Sequence, residues 1–361
     1  MYVPNFSLPV NILLKCKIEF CNIQAIIPWV IYNIDDSSKH SLISVKRMKN
    51  ILTIVGPTSV GKTSISVDIA KKLNGEIIGL DSCQIYKGMA IGTAQPTEEE
   101  MDGIRHHLMG FREPSEPISA GEYAKLVKEK VKEIQSHGKS PIICGGAGLY
   151  YRALTKGIFE GSISDLSARE RLEKKYEENP KASLHRLRSV DPEYGEIVHI
   201  NNKKRLVRAL EIYETTGKTP TEHFKLQKNM PGKTLRLFSV LLMMDKGILM
   251  DKIEKRTQEM LASGWIDEVK HLLEKQTKSG KIFPALDSIG YREIQTFLND
   301  EMSVDDMKEE IIIKTKQYSR RQVQWFRKEK MDATIDISQL DRVLIMETIL
   351  NLLHKPNGDP S

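Results

Sequence analysis

One eight-residue stretch, Gly56-Pro57-Thr58-Ser59-Val60-Gly61-Lys62-Thr63, limits what this chain can fold into more than any other. It matches the phosphate-loop pattern G-x-x-x-x-G-K-[ST], which works only between a strand and a helix. Both neighbours fit. Ile51–Val55 is an apolar run that reads as a buried strand, and Ser64–Leu73 places Ile65, Val67, Ile69 and Leu73 at helical spacing. Glycines let successive backbone N–H groups turn inward on an anion, and the helix N-terminus adds partial positive charge. Lys62 supplies a point charge, and the Thr63 hydroxyl is placed to ligate Mg²⁺. The loop predicts polyphosphate binding without saying which polyphosphate.

A strand–helix alternation continues to about Leu154, as in a parallel sheet with crossovers. Glu76–Leu80 reads as a strand ending at Asp81, Ala120–His137 as a helix, and Ser140–Cys144 as a strand closed by Gly145-Gly146. Ligands of open α/β sheets gather at the carboxyl ends of the strands, so the turns at Gly56, Asp81 and Gly145 should face one cleft. After Gly157 the strand signal thins. Ala168–Glu178, Lys181–Ser189 and Lys203–Thr215 read as helices, with Pro192 and Gly217 as breaks. Ser239–Met243 restores a strand, and Ile248–Ser263, Ile266–Leu273, Ile289–Leu298 and Val304–Glu329 are helical in pattern. The expected fold is α/β: a P-loop nucleotide-kinase-like parallel sheet core over 48–160 and 235–335, with C-terminal helices and a mainly helical insertion over 161–234.

Length and composition are ordinary for a soluble globular protein. The 361 residues are 40% hydrophobic and 28% charged, with a formal net charge of +6. That mild basic excess is compatible with a polyanionic partner but does not require one. Cys16, Cys21, Cys83 and Cys144 form no C-x-x-C pair and suit a reducing cytoplasm. No run approaches the roughly 20 apolar residues of a membrane span. Residues 1–47 carry neither a span nor a signal-peptide pattern and read as an extension of uncertain status, with Met48 an alternative start.

Chemistry concentrates in three further places. Asp81 directly follows a strand; a carboxylate there can serve as a general base or assist a metal, or simply cap the next turn. Gly145-Gly146-Ala147-Gly148-Leu149-Tyr150 is a second glycine-rich turn, open to either close ligand approach or tight packing. Basic residues cluster at Lys203-Lys204-Arg205 with Arg208, and along Lys314–Lys330 among Tyr318, Trp325 and Phe326. Cations interleaved with aromatics suit nucleic-acid contact, and a solvated helix face explains the second run equally well.

Taken together, from about Asn50 to Arg327, these motifs resemble the tRNA dimethylallyltransferase family. The resemblance rests on the phosphate loop, Asp81-Ser82-x-Gln84-x-Tyr86, Ile91-Gly92-Thr93, His106-His107-Leu108 and Gly145-Gly146-x-Gly148-Leu149-Tyr150. Also matching are Arg205-x-x-Arg208-Ala209-Leu210-Glu211, Thr216-Gly217-Lys218, Ile289-Gly290-Tyr291 and Arg320-Arg321-Gln322-x-x-Trp325-x-Arg327.

That resemblance implies transfer of a dimethylallyl group from dimethylallyl pyrophosphate to N6 of adenosine 37 in tRNAs reading codons that begin with U. Asp81 is then the expected base. Residues Gly56 to Thr63, with Arg256, hold pyrophosphate, and Thr63 holds Mg²⁺. Asp81, Ser82, Cys83, Gln84, Ala147, Arg169, Lys204, Arg205, Leu206, Val207 and Arg208 contact the tRNA anticodon stem-loop. A cytoplasmic monomer is expected. Two positions depart from the family pattern: Ala147 replaces a hydroxyl residue, and Gln95 stands where lysine is common. An ATP-dependent phosphotransferase, a prenyltransferase acting on free adenine nucleotides and a non-catalytic tRNA-binding relative are the competing readings. The small-substrate options leave the basic helical lobe unexplained.

Overall fold

The computed structural model describes residues 50–157, 165–228 and 234–354. The expected extension at 1–47, with Cys16 and Cys21, lies outside them. The chain divides into two compact units. Among the described residues, one takes in 50–118, Leu126–Gly148 and 236–354; the other takes in Ser119–Lys125, 149–157, 165–228 and 234–235.

The first unit is built on a six-stranded sheet. Its strands are β1 (Ile51–Val55), β2 (Gly75–Leu80), β3 (His106–His107), β4 (Ser140–Gly145), β5 (Leu237–Met243) and β6 (Ala333–Asp336), in the spatial order β3-β2-β4-β1-β5-β6. Every pairing is parallel. Parallel strands covered on both faces read as continuous apolar runs, and β1, β2 and β4 are buried at every residue. Helix α1 (Lys62–Lys72) follows β1 and buries Ile65, Val67, Ile69 and Ala70 against Leu52, Ile54 and Ile142 of the sheet core. The short helix α2 (Glu98–Met101) and then α3 (Ala120–Ser136) lead to β4. Helices α10 (Lys246–Ala262), α11 (Trp265–Ser279), α12 (Tyr291–Leu298) and α13 (Val304–Phe326) follow β5, and α14 (Arg342–His354) follows β6.

The second unit is helical: α4 (Gly148–Thr155, its first residue in the sheet unit), α5 (Leu166–Glu178), α6 (Pro180–Val190), α7 (Pro192–Ile197), α8 (Lys203–Thr216) and α9 (Pro220–Lys228). Its core joins Leu172, Tyr176, Leu187, Val198, Leu206, Val207 and Leu210. Asn179 and Asp191 cap α6 and α7 through bonds to the N–H groups of Ala182 and Tyr194, both 3.0 Å. Pro192, expected as a break, follows the end of α6 at Val190 and is itself the first residue of α7. Proline is favoured at that position because its missing N–H would lack a helical partner anyway. Buried Asp191 also accepts bonds from Thr221 N–H (2.9 Å) and Oγ1 (2.7 Å), joining α7 to α9.

Candidate active site

Three strands of the sheet end level with one another. Val55 of β1 is in register with Gly145 of β4, and Gly145 with Leu80 of β2. At roughly 4.8 Å per strand spacing, the turns that begin at Gly56, Asp81 and Gly146 leave the sheet side by side within about 10 Å. Backbone bonds draw two of them closer: the N–H groups of Gly146 and Ala147 both donate to Leu80 O at 3.0 Å. A Cβ on Gly145 would sit 2.1 Å from that same oxygen, so close strand approach is what requires glycine there.

The phosphate loop enters α1 through Gly61, whose φ of 98° is the left-handed conformation that glycine adopts without strain. No side chain caps α1, so the N–H groups of its first turn keep no side-chain acceptor. The Lys62 ammonium donates to Pro57 O at 2.7 Å. Burial pushes its pKa down to about 8, while the nearby Asp81 carboxylate pulls the other way and Arg256 adds to the depression. Arg256, on α10, is half-buried, and burial lowers its pKa too, opposed by Glu100, Asp81 and Glu259. Among the described residues Arg256 makes no ion pair within 4 Å. Two desolvated cations therefore face one turn with little counter-charge in contact, an arrangement that favours an anion.

Asp81 lies within the electrostatic reach of both cations. Its Oδ1 accepts the N–H groups of Cys83 (2.8 Å) and Gln84 (3.2 Å), which closes an Asx turn. Its second oxygen has no hydrogen-bond partner among the described residues. The cap reading of Asp81 therefore holds at one oxygen, while the other carries no protein partner among the described residues. Gln84 Nε2 donates to the carbonyls of Thr93 (3.1 Å) and Ala94 (2.8 Å). Gln95 returns bonds to the carbonyls of Gln84 (2.8 Å) and Tyr86 (3.0 Å), so at this position the amide knits the loop on which Asp81 sits. Burial raises the Cys83 thiol to about 11, with Asp81 adding to the shift.

Further groups went unassigned in the sequence. Glu268 accepts from the N–H groups of Ile91 (2.8 Å) and Gly92 (2.9 Å) and from the Tyr291 hydroxyl (2.6 Å), which anchors the far end of the same loop. A Cβ on Gly92 would lie 1.9 Å from Trp265. On α13, Tyr318 sits in the field of Asp81 and Cys83, and burial drives its pKa well upward, so its hydroxyl stays protonated. The motifs Ile91-Gly92, Gly290-Tyr291 and Gln322-x-x-Trp325 were visible in the chain; their contacts are long-range and no local period announces them.

Within the helical unit, buried Glu211 receives Arg169 (3.0 Å) and Arg208 (2.7 Å). One turn on, Glu214 receives Arg171 and Arg186, both at 2.6 Å. Leu206 and Val207, expected to contact RNA, have their side chains in this unit's core, leaving Lys204 and Arg205 as the exposed residues of that run. The second basic run also divides. Lys314 pairs with Glu293 and Glu310, and Lys316 with Glu254, whereas Arg320, Arg321 and Arg327 are exposed.

No group of three or more His, Cys, Asp or Glu among the described residues could hold a metal by itself. The Thr63 hydroxyl makes no hydrogen bond within the described chain. That suits an ion such as Mg²⁺, which keeps few protein ligands and completes its shell with phosphate oxygens and water.

A family model described as IPP transferase matches residues 84–329. A tRNA dimethylallyltransferase of Bacillus velezensis is 40% identical over 306 residues, covering 81% of this chain and 95% of the relative. This chain belongs to the IPP transferase family. The family member from Bacillus subtilis, also named tRNA dimethylallyltransferase, is 40% identical over 288 residues, with 79% and 89% covered. Solved structures agree. The full-length tRNA isopentenylpyrophosphate transferase of Bacillus halodurans matches with a TM-score of 0.61 and 33% identity, over 84% of this chain and 97% of that one. A eukaryotic dimethylallyltransferase described as acting on tRNA matches with a TM-score of 0.67 and 28% identity, over 81% and 75%. Among the described residues no helix is long and apolar enough to cross a membrane.

Proposed function

We propose that this IPP transferase moves a dimethylallyl group from dimethylallyl pyrophosphate to N6 of adenosine 37, in tRNAs that read codons beginning with U. The observation that carries the reading is the convergence of Asp81, Lys62 and Arg256 at the level ends of adjacent strands. An exocyclic amine conjugated with a purine is a weak nucleophile, so the reaction needs a base and a stabilised leaving group. The C–O bond of the allylic pyrophosphate breaks as the N6–C bond forms. The open oxygen of Asp81 takes the N6 proton, and the pyrophosphate departs with the C–O electron pair. Its charge is met by the loop N–H groups of residues 56–63, the Lys62 ammonium and the Arg256 guanidinium. Mg²⁺ held through Thr63 would supply further charge neutralisation on the pyrophosphate oxygens.

On this reading the Ser82–Gln84 turn and Ala147 border the target nucleotide, and Lys204 and Arg205 meet the phosphates of the anticodon stem-loop, with Arg169 and Arg208 oriented by Glu211. Leu206 and Val207 shape that face from beneath. The base is extruded from its stack at a cost of a few kcal/mol. The protein works as a monomer in the cytoplasm.

The deciding experiment incubates the protein with dimethylallyl pyrophosphate and unmodified tRNA and digests the product to nucleosides. N6-isopentenyladenosine at position 37 is expected. Its absence, with ATP consumed on a small acceptor instead, overturns the proposal.

A further inference from the structure

Gln322, on α13, is a polar side chain buried in the sheet unit, at 5% exposure. Its amide is used at both ends. Oε1 accepts the backbone N–H of Thr58 at 2.8 Å, and Nε2 donates to Gly146 O at 3.0 Å. Tyr318, one turn earlier on the helix, feels the same amide. The two backbone groups belong to the phosphate loop and to the second glycine turn, 264 and 176 residues away along the chain. The glycines on the second turn are shaped around this contact. A Cβ on Gly146 would fall 2.2 Å from Gln322 Nε2, and one on Gly148 would fall 2.3 Å from Trp325.

We propose that Gln322 is a positioning residue for pyrophosphate, a single amide that sets the spacing between the phosphate loop and the Gly146 turn. The inference rests on the pyrophosphate reading of that loop. Thr58 N–H is spoken for by Gln322, so the loop is held in one shape and its remaining N–H groups receive the anion. Only an amide has the right chemistry. The site needs an acceptor facing Thr58 and a donor facing Gly146, about two ångströms apart on one planar group. Glutamate keeps the shape but can only accept when ionised, which sets an oxygen against the Gly146 carbonyl and a negative charge beside the anion. Protonation of that carboxyl restores a donor.

The test measures binding of inorganic pyrophosphate with Mg²⁺ by calorimetry on the full chain, across pH 5.5–8.5, for the wild type, Gln322→Glu and Gln322→Met. At pH 8 both variants should bind at least roughly tenfold more weakly than wild type. Because burial raises a carboxyl pKa, the Gln322→Glu deficit should close to within about threefold by pH 5.5. The Gln322→Met deficit should stay constant across the range. If Gln322→Glu does not fold, a constant Gln322→Met deficit, with the KM for dimethylallyl pyrophosphate raised and tRNA affinity unchanged, carries the proposal. Variants that bind within twofold of wild type, or a Gln322→Glu deficit that does not change with pH, overturn it. A wild-type protein that binds no pyrophosphate refutes the parent reading instead, an outcome distinct from either.

Discussion

Asp81 and Glu211 are both carboxylates set among cations, and the two regions use them in opposite ways. Glu211 is fully buried and in direct contact with Arg169 and Arg208. Asp81 lies in the field of Lys62 and Arg256 yet pairs with neither within 4 Å among the described residues, and one of its oxygens is committed to an Asx turn. Contact neutralises; separation stores potential. Around Glu211 the helical unit has already matched its charges. The strand ends keep theirs apart, so a ligand that brings its own charges finds both signs available.

Asp81→Asn should break the contrast most sharply. The amide oxygen can still close the turn but cannot take a proton, so turnover should fall about a hundred- to ten-thousandfold while tRNA affinity changes less than about threefold. Single-turnover kinetics with separate tRNA binding isotherms check this, and unaltered turnover removes Asp81 as base.

Glu211→Gln should do the reverse. Removing one partner of a buried ion pair costs about 3–5 kcal/mol, and the partial exposure of both arginines reduces the expected loss to about 1–3 kcal/mol, read by urea unfolding. An equally stable variant would mean that the pairs are incidental.

The depressed Lys62 pKa predicts a proton effect with a definite sign. In the free protein the ammonium loses its proton above pH 8. Pyrophosphate supplies counter-charge and raises that pKa, so binding between pH 8 and the ordinary lysine value near 10.5 takes up a proton. Calorimetry in buffers of different ionisation enthalpy should detect the uptake, and Lys62→Arg should lack it because guanidinium does not titrate there. Smaller still is Arg205→Gln: a few-fold loss of tRNA affinity, a salt slope reduced by roughly 0.7–0.9, and unchanged stability. Smallest is Ala147→Thr. One restored hydrogen bond near the substrate is worth about 0.5–1.5 kcal/mol, so the rate should rise about two- to tenfold. A flat response means that another group already fills the role.

The sequence was most legible where chemistry and local geometry coincide. The phosphate loop with its strand and helix, the turn after Leu80 and the strand at Ser140 all carry short-range signals, apolar runs closed by glycine or aspartate. Elements built from few or polar residues were not visible. β3 is two histidines and β6 is Ala-Thr-Ile-Asp, and each exists because a neighbouring strand offers it an edge. Pro192 was legible as the break after Val190 but not as the start of α7, because a proline at the first helical position marks both. Leu206 and Val207 were carried along with their basic neighbours, although the helical period that exposes Arg205 turns those two inward. Gln322, Glu268 and Tyr318 were unreadable as site residues for a simpler reason: the groups that tie them to the strand-end turns lie more than a hundred residues away.

The bare start of α1 has one more consequence. A helix that begins on glycine with no side-chain cap forgoes only a few tenths of a kcal/mol that a serine or aspartate would contribute. Whatever anion settles there restores that stabilisation along with its own binding free energy, so the melting temperature should climb with the logarithm of pyrophosphate concentration. Deliberate under-capping makes this helix an occupancy gauge, and a melting curve its readout.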